Sequence, residues 1–568
     1  MPKKEKFIFF ICLFLASTAL KAQQKINPYH YNIQKHIFCN KGAVVSANAL
    51  ASQVGVNILQ QGGNAVDAAI ATQLALAVVY PGAGNIGGGG FMIAHLKNGK
   101  NIALDYREVA PSAATKDMYL DSNGNPQTNL SLDGHLAAGV PGTIAGLFAS
   151  MKYAKLPFKK LIEPAIILAE KGFAITAGEA KNLNNERDDF IKLNTTTPVF
   201  VKEKLWKPGD TLIQKDLAKT LRRIRDYGLK GFYEGETAGL IVNEMQKGKG
   251  IISYDDLKNY TAKEREPVTF NYKGYTIVTM PLPSSGGILL QQMLKMIEKR
   301  NIAQMKFETS QSVQLMVEVE RRAFADRAEF MGDPDFVKVP VKTLVTEKYL
   351  DNRMQSYQPG KAGGSEEIKA GKINIESEET THLSITDSEG NAVSITTTLN
   401  NSYGSKTVVT GAGFLLNDEM DDFSVKPGVP NLYGAIGNEA NAIAPNKRML
   451  SSMTPTIVLK NKSPYLVVGT PGGTTIPTSV FQTIVNITDF KLSTPDAVNK
   501  PKFHHQWLPD QIFIEKDFPE DVKDQLIKMG YKISDRNEIG RTEVIKVLPG
   551  KKLEAVADKR GDDSASGW

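Results

Sequence analysis

In the N-terminal part of the chain, apolar positions recur at helical spacing and break at glycines. Ala43–Ser46 (AVVS) reads as a short strand, and Ala49–Gln61 as a helix stopped by Gly62 and Gly63. Asn64 and the run to Val79 (NAVDAAIATQLALAVV) predict an Ala-rich helix whose small side chains suit close packing. A glycine loop, Gly82–Gly90, leads into strand Phe91–Leu96. Residues 140–245 read as mainly helical, with Leu161–Gly172 and Leu217–Tyr227 as examples.

The pattern changes at Val268. Tyr275–Met280 predicts a strand, Pro281–Gly287 (PLPSSGG) a turn, Ile288–Lys299 a helix, and Ser310–Glu329 a longer one. Residues 355–379 are polar, charged and Gly-bearing, and read as a solvated linker or flexible tail. The period then switches to two. His382–Thr386 (HLSIT) and Ala392–Thr398 (AVSITTT) flank the turn Asp387–Asn391 (DSEGN), which is a β-hairpin signal. Further strands are expected at Ile457–Lys460 and Leu466–Thr470, and Pro471–Pro477 leads into a helix over Thr478–Asn486.

Composition narrows the class. Hydrophobic residues at 41% and charged residues at 23% exclude disordered, collagen-like and coiled-coil chains. No internal repeat of useful period is present. The 568 residues allow a large core. The formal charge of +7 shrinks once the start of the chain is read. Lys3, Lys4 and Lys6 precede an apolar run, Phe7–Leu15, and small residues follow at Ala16, Ser17, Thr18 and Ala19, and again at Ala22. This predicts a signal peptide over 1–22, cut after Ala19 or Ala22, and a periplasmic or secreted protein. The apolar run is shorter than the ~20 residues of a membrane span, so no stable membrane anchor is expected. The mature chain sits near +4, too mild a charge to point to nucleic acid.

Several chemistries are weakened by context. Cys12 lies in the signal, so Cys39 is left without an intramolecular partner and reads as a small buried side chain. Of seven His, only His504 and His505 are close neighbours, and no HExxH or CxxC occurs, so neither a catalytic metal nor another cofactor is expected. Gly82-x-Gly84-x-x-Gly87 matches the dinucleotide fingerprint as a string, but a helix precedes it and a strand follows. That order is the reverse of what pyrophosphate binding needs, so a tight turn beside close-packed backbone is the better account. Ser284 and Ser285 have no local base, and a turn is the plainer reading of them.

Glu379-Thr380-Thr381-His382 is different. A threonine hydroxyl is a weak nucleophile without a base. Threonine becomes effective as the first residue of a chain, because its own α-amine, with a pKa near 8, can take the proton. A polar, cleavable-looking tail here ends where a strand begins with Thr; alternatively, Thr-Thr simply starts a strand. Downstream, Asp418–Ser424 (DEMDDFS) is either a solvated acidic turn or a pocket for an ammonium group. Ser451-Ser452 adds hydroxyls, and paired glycine amides such as those of Gly472-Gly473 can form an oxyanion hole.

Together these strings resemble the γ-glutamyltransferases (γ-glutamyltranspeptidases), which are N-terminal nucleophile hydrolases. The match includes Gly87–Met92 (GGGGFM), Asp105–Glu108 (DYRE), Leu416–Pro430 (LNDEMDDFSVKPGVP) and Asn446–Pro455 (NKRMLSSMTP). The resemblance implies an α+β fold, a four-layer αββα sandwich. It implies a precursor that cuts itself between Glu379 and Thr380 into a large subunit, 23–379, and a small catalytic subunit, 380–568, intertwined as one domain. Thr380 would then attack the γ-amide of glutathione or another γ-glutamyl compound and pass the acyl group to water or to an amino acid or peptide. By the same resemblance Thr398 assists Thr380. Arg107 holds the substrate α-carboxylate with Ser451 and Ser452, while Asn400, Glu419 and Asp422 hold the α-ammonium. Gly472 and Gly473 serve the oxyanion, and the stretch Pro427–Asn438 with Tyr433 forms a lid. Two departures stand out: Glu379 where many relatives have Gln or Gly, and Glu419 where some have Gln. Alternatives are an acylase acting on glutaryl or β-lactam side chains, for which Glu419 and Asp422 would lack a partner, and an unprocessed γ-glutamyl-binding protein.

Overall fold

Period-two alternation along the strands sorts side chains into three separate cores. A computed structural model describes residues 26–368, 380–426, 428 and 437–568. Fourteen of its described strands form two antiparallel seven-stranded sheets. In chain order these are β1 (His36–Cys39), β2 (Ala43–Ser46), β3 (Gly89–His95), β4 (Asn101–Asp105), β5 (Lys263–Arg265), β6 (Val268–Tyr272) and β7 (Tyr275–Thr279). After them come β8 (Thr381–Thr386), β9 (Ala392–Thr398), β10 (Thr456–Lys460), β11 (Ser463–Gly469), β12 (Glu543–Val547), β13 (Leu553–Val556) and β14 (Ser564–Gly567). One sheet runs β14-β2-β8-β9-β3-β4-β5, the other β1-β13-β12-β11-β10-β7-β6. Both mix strands from before and after Thr380.

Between the sheets lie Val45, Phe91 and Ile93 from the first and Val278, Ile457, Val467 and Ile545 from the second. Their sequence neighbours point the other way. Val44, Met92, Leu383 and Ile385 pack under the helices α1 (Ala49–Gln60) and α2 (Ala65–Val79). On the far side, Val458, Leu466 and Val468 pack against α3 (Gly286–Glu298), α4 (Ser310–Phe330) and α5 (Thr475–Thr488). The architecture is the four-layer αββα sandwich. Helix α2 is buried along its whole length and opens with a capping box between Asn64 and Asp67. Its small residues permit that burial.

The glycine loop is a close-approach device. A Cβ on Gly84 would lie 2.2 Å from the Leu76 carbonyl oxygen, and one on Gly87 would lie 2.1 Å from that of Leu415. The structure also moves some expected boundaries. Helix α5 starts at Thr475, not Thr478, because Pro477 falls in the first turn, where a missing N–H costs nothing. Helix α3 starts at Gly286, where a Cβ would sit 2.1 Å from the Thr454 hydroxyl. The expected linker over 355–379 is largely exposed where it is described, over 355–368, but it is tied down at one point. Ser365 is buried, its Oγ donates to the Trp507 carbonyl and its N–H to Asp510, while the Gly363 N–H donates to Glu318. The polar residues around this tie, Gln355, Ser356, Gln358, Lys361, Glu366 and Glu367, are exposed, as the composition predicts. Residues 369–379, including Glu379, and the signal segment 1–22 lie outside the described residues. Cys39 is buried, and burial pushes its thiol up to about 11.

Candidate active site

The hairpin register fixes the centre of the site. Thr381 pairs with Thr397 across β8 and β9, so the preceding Thr380 comes opposite Thr398. Thr398 Oγ1 donates to Thr380 Oγ1 at 3.5 Å, and both residues are buried. The Asn400 N–H donates to Thr398 Oγ1 at 2.8 Å, in a backbone turn with Asn400 at φ +83°. Asn85, in the glycine loop, holds this end of β9. Its side-chain amide donates to the carbonyls of Thr398 (2.8 Å) and Ala83 (3.0 Å), and its Oδ1 accepts from the Thr143 hydroxyl and the Gly88 N–H. Sequence reading missed Asn85. Its only signal was its place inside a glycine cluster.

Charge gathers just beyond the end of β4. Arg107 is almost fully buried. Its guanidinium pairs with Asp422 and lies 2.5 Å from Glu419 Oε2 and 3.6 Å from Glu108 Oε2, while Nε donates to the Met449 carbonyl. Burial pulls the Arg107 pKa down, but the carboxylates of Glu419, Asp422 and Glu108 outweigh it and leave the guanidinium more strongly protonated than usual. Burial pushes the carboxyls the other way. Glu419 and Asp422 are raised by burial, with Arg107 opposing, and Glu108 is raised to about 7. Of the acidic turn, Asp418 accepts from Asn401 and Asp421 from the Ser131 hydroxyl, so only Glu419 and Asp422 turn toward Arg107.

Two loops complete the wall. Gly472 (φ +132°) and Gly473 (φ +47°) adopt backbone that favours glycine, and their carbonyls accept the first N–H bonds of α5. Neither glycine N–H donates a hydrogen bond among the described residues. Ser451 is bridged to Ser284 of the PLPSSGG turn, and the Ser285 hydroxyl donates to the Ser451 carbonyl at 2.7 Å. Arg327, from α4, donates through Nε to Ser285 Oγ at 3.1 Å. Sequence reading missed this arginine as well.

The outcome is one cavity of about 20 Å³, lined by Thr380, Thr398, Arg107, Glu419, Asp422 and Arg327, and also by Asn400, Ser452 and Gly473. Ser451 and Gly472 stand next to that wall without lining it. Tyr433 lies outside the described residues, as do most of the stretch Pro427–Asn438 and Glu379. The cavity offers a hydroxyl pair, the backbone of Gly473 and a buried cation ringed by carboxylates. That set suits acyl transfer from a substrate carrying both a carboxylate and an ammonium group.

Comparison with known proteins places this site in context. A family model described as "Gamma-glutamyltranspeptidase" matches residues 51–568. The glutathione hydrolase proenzyme of Escherichia coli (strain K12) is 45% identical over 550 residues, which cover 95% of each chain. That of Pseudomonas aeruginosa is 48% identical over 527 residues, covering 92% of this chain and 93% of the relative. A cephalosporin acylase from Bacillus halodurans superposes with a TM-score of 0.82 at 26% identity, covering 95% of this chain and 98% of that one. With the match running across the site and nearly the whole chain, the protein belongs to the γ-glutamyltranspeptidase family.

Proposed function

We propose that this chain is the precursor of a γ-glutamyltransferase and glutathione hydrolase with Thr380 as its nucleophile. The observation that carries the reading is the Thr398–Thr380 hydroxyl contact inside a cavity that also holds Arg107, Glu419 and Asp422. In maturation, Thr380 Oγ attacks the Glu379 carbonyl carbon. The peptide C–N bond breaks and the nitrogen takes the proton, which frees the Thr380 amine; water then hydrolyses the ester, releasing the Glu379 carboxylate and restoring the Thr380 hydroxyl. The products are residues 23–379 and 380–568, held together by the mixed sheets.

In turnover, the Thr380 amine accepts the hydroxyl proton as Oγ attacks the γ-carbonyl of glutathione. The tetrahedral oxyanion is met by the N–H groups of Gly472 and Gly473. The C–N bond breaks, the leaving amine of cysteinylglycine takes the proton, and the γ-glutamyl ester passes to water or to an amino acid or peptide amine. Arg107, with Ser451 and Ser452, receives the α-carboxylate. Glu419, Asp422 and Asn400 receive the α-ammonium. Without substrate, Arg107 is the shared counter-charge of both carboxylates. A zwitterion enters by exchanging those partners for its own, which keeps every buried charge paired. Tyr433 and its neighbours serve as the lid.

Among the described residues no helix is long and apolar enough to cross a membrane. The basic, apolar, small-residue start of the chain supports export to the periplasm or the medium. The deciding experiment is N-terminal sequencing of the smaller fragment of the purified protein, together with release of cysteinylglycine from glutathione. A fragment beginning at Thr380 is the expected result. A single uncleaved chain that still turns over glutathione overturns the reading. The fold shared with a cephalosporin acylase favours a second reading, an acylase for glutaryl groups, which lack the ammonium. Faster cleavage of a glutaryl anilide than of the γ-glutamyl anilide selects it.

A further inference from the structure

Arg327 is a buried cation without an ion-pair partner among the described residues. It is 6% exposed, lines the same cavity as Thr380, and makes one hydrogen bond among the described residues, from Nε to Ser285 Oγ. Among the described residues no carboxylate oxygen lies within 4 Å of its guanidinium. A guanidinium carries five N–H donors, so four are left without an acceptor among the described residues. Burial lowers its pKa to about 10, only partly opposed by the more distant Asp422. An unpaired buried charge is costly and is retained where a ligand completes it.

Arg107 is the reverse case. Its donors are already divided among Asp422, Glu419 and the Met449 carbonyl. Of the two cations on the cavity wall, Arg327 is the one with donors to spare. Its position is set by the serine loop, because the Ser285 N–H and Oγ both donate to the Ser451 carbonyl, at 2.8 and 2.7 Å. This ties Arg327 to the Ser451–Ser452 segment that the functional reading assigns to the substrate carboxylate.

We propose that Arg327 is a specificity-determining residue that binds the α-carboxylate of the γ-glutamyl donor alongside Arg107. The inference rests on the γ-glutamyltransferase reading above. It makes the carboxylate end a two-arginine site and leaves Asp422 and Glu419 free to turn to the ammonium.

The test compares two donors on the full-length matured protein: γ-glutamyl anilide, and 4-aminobutanoyl anilide, which is the same donor without the carboxylate. Wild-type preference for the first checks the functional reading by itself, before any variant is made. Arg327→Gln is then expected to lose roughly 10- to 100-fold in kcat/KM on γ-glutamyl anilide, mostly through KM. On 4-aminobutanoyl anilide it should change by less than about threefold. Arg327→Lys, which keeps the charge without the fork, is expected to fall between the two. Equal losses on both donors, or no loss on either, overturn the proposal while leaving the reading intact. Should Arg327→Gln fail to mature, the same comparison on Arg327→Lys decides. A loss selective for the carboxylate-bearing donor supports the assignment, and an equal loss removes it.

Discussion

The hydroxyl of Thr398 points at that of Thr380 across 3.5 Å, and the hairpin register alone puts it there. A residue added to or removed from the turn Asp387–Asn391 would shift every pair, and Thr398 would no longer face Thr380. The Thr380 hydroxyl is thus aimed by strand pairing, not by a flexible loop.

Replacing Thr380 with Ala removes the oxygen that the proposed mechanism uses for attack. The expected outcome is one band on a denaturing gel and loss of at least about 1000-fold in activity on γ-glutamyl anilide. Thr380→Ser keeps the oxygen and should still yield two bands. Two bands from the Ala variant would assign the cut to another group.

Thr398→Val preserves shape and deletes the hydroxyl that contacts Thr380 and accepts the Asn400 N–H. Losing hydrogen bonds worth about 1–3 kcal/mol slows maturation, and then turnover, by roughly 5- to 150-fold. A time course of band conversion reads the first effect and steady-state rates the second. Unchanged rates in both would reduce Thr398 to a scaffold residue.

Much of this was legible in the sequence, and the parts that were not share a cause. The hairpin around DSEGN, the long helix from Ser310 and the crowded glycine loop follow from local pattern and turn chemistry. The string ERRAFADRAEF, by contrast, reads locally as a solvated charged face, yet Arg321, Arg322 and Arg327 are all buried. Arg322 finds Glu318 four residues away, but Arg321 meets Asp510 and Arg327 meets Ser285, which only the tertiary fold brings near. The acidic turn likewise could not be sorted by spacing. Ser131 and Asn401 take Asp421 and Asp418, and this leaves Glu419 and Asp422 for Arg107. Partner identity at long sequence distance decides which charges belong to the cavity.

Arg107→Leu strands Glu419, Asp422 and Glu108 without their cation. Breaking one side of a buried ion network costs about 3–5 kcal/mol. The variant should therefore unfold at clearly lower urea and show no saturable γ-glutamyl hydrolysis. Arg107→Lys keeps a charge without the planar fork and should recover part of the stability but little of the binding. Equal urea midpoints for wild type and the Leu variant would contradict the pairing described.

Acid sensitivity follows from His382, which lies between the two sheets. Its ring nitrogens bond the hydroxyls of Thr396 and Ser384, and a Cβ on the facing Gly469 would sit 2.1 Å from the ring. Burial lowers its pKa to about 3, and His504 and His505 are lowered to about 3 and about 4, also by burial first. The unfolded chain binds a proton on each histidine near pH 6.5, and the folded chain does not. Stability from these groups is therefore complete above about pH 6.5 and is lost as pH falls toward 3, at about 1.4 kcal/mol per unit for each histidine once well below 6.5. The buried carboxyls Glu320 and Glu543 are raised by burial, so their contribution has the opposite sign, and the net slope of the wild type mixes the two. The comparison with His382→Gln separates them, because glutamine keeps hydrogen-bonding capacity for Thr396 and Ser384 but takes up no proton. Urea midpoints measured at pH 7.5, 5.5 and 4.5 should fall less steeply in the variant than in the wild type. Parallel slopes would mean that His382 is protonated alike in the folded and unfolded chains, which its packing against Gly469 forbids.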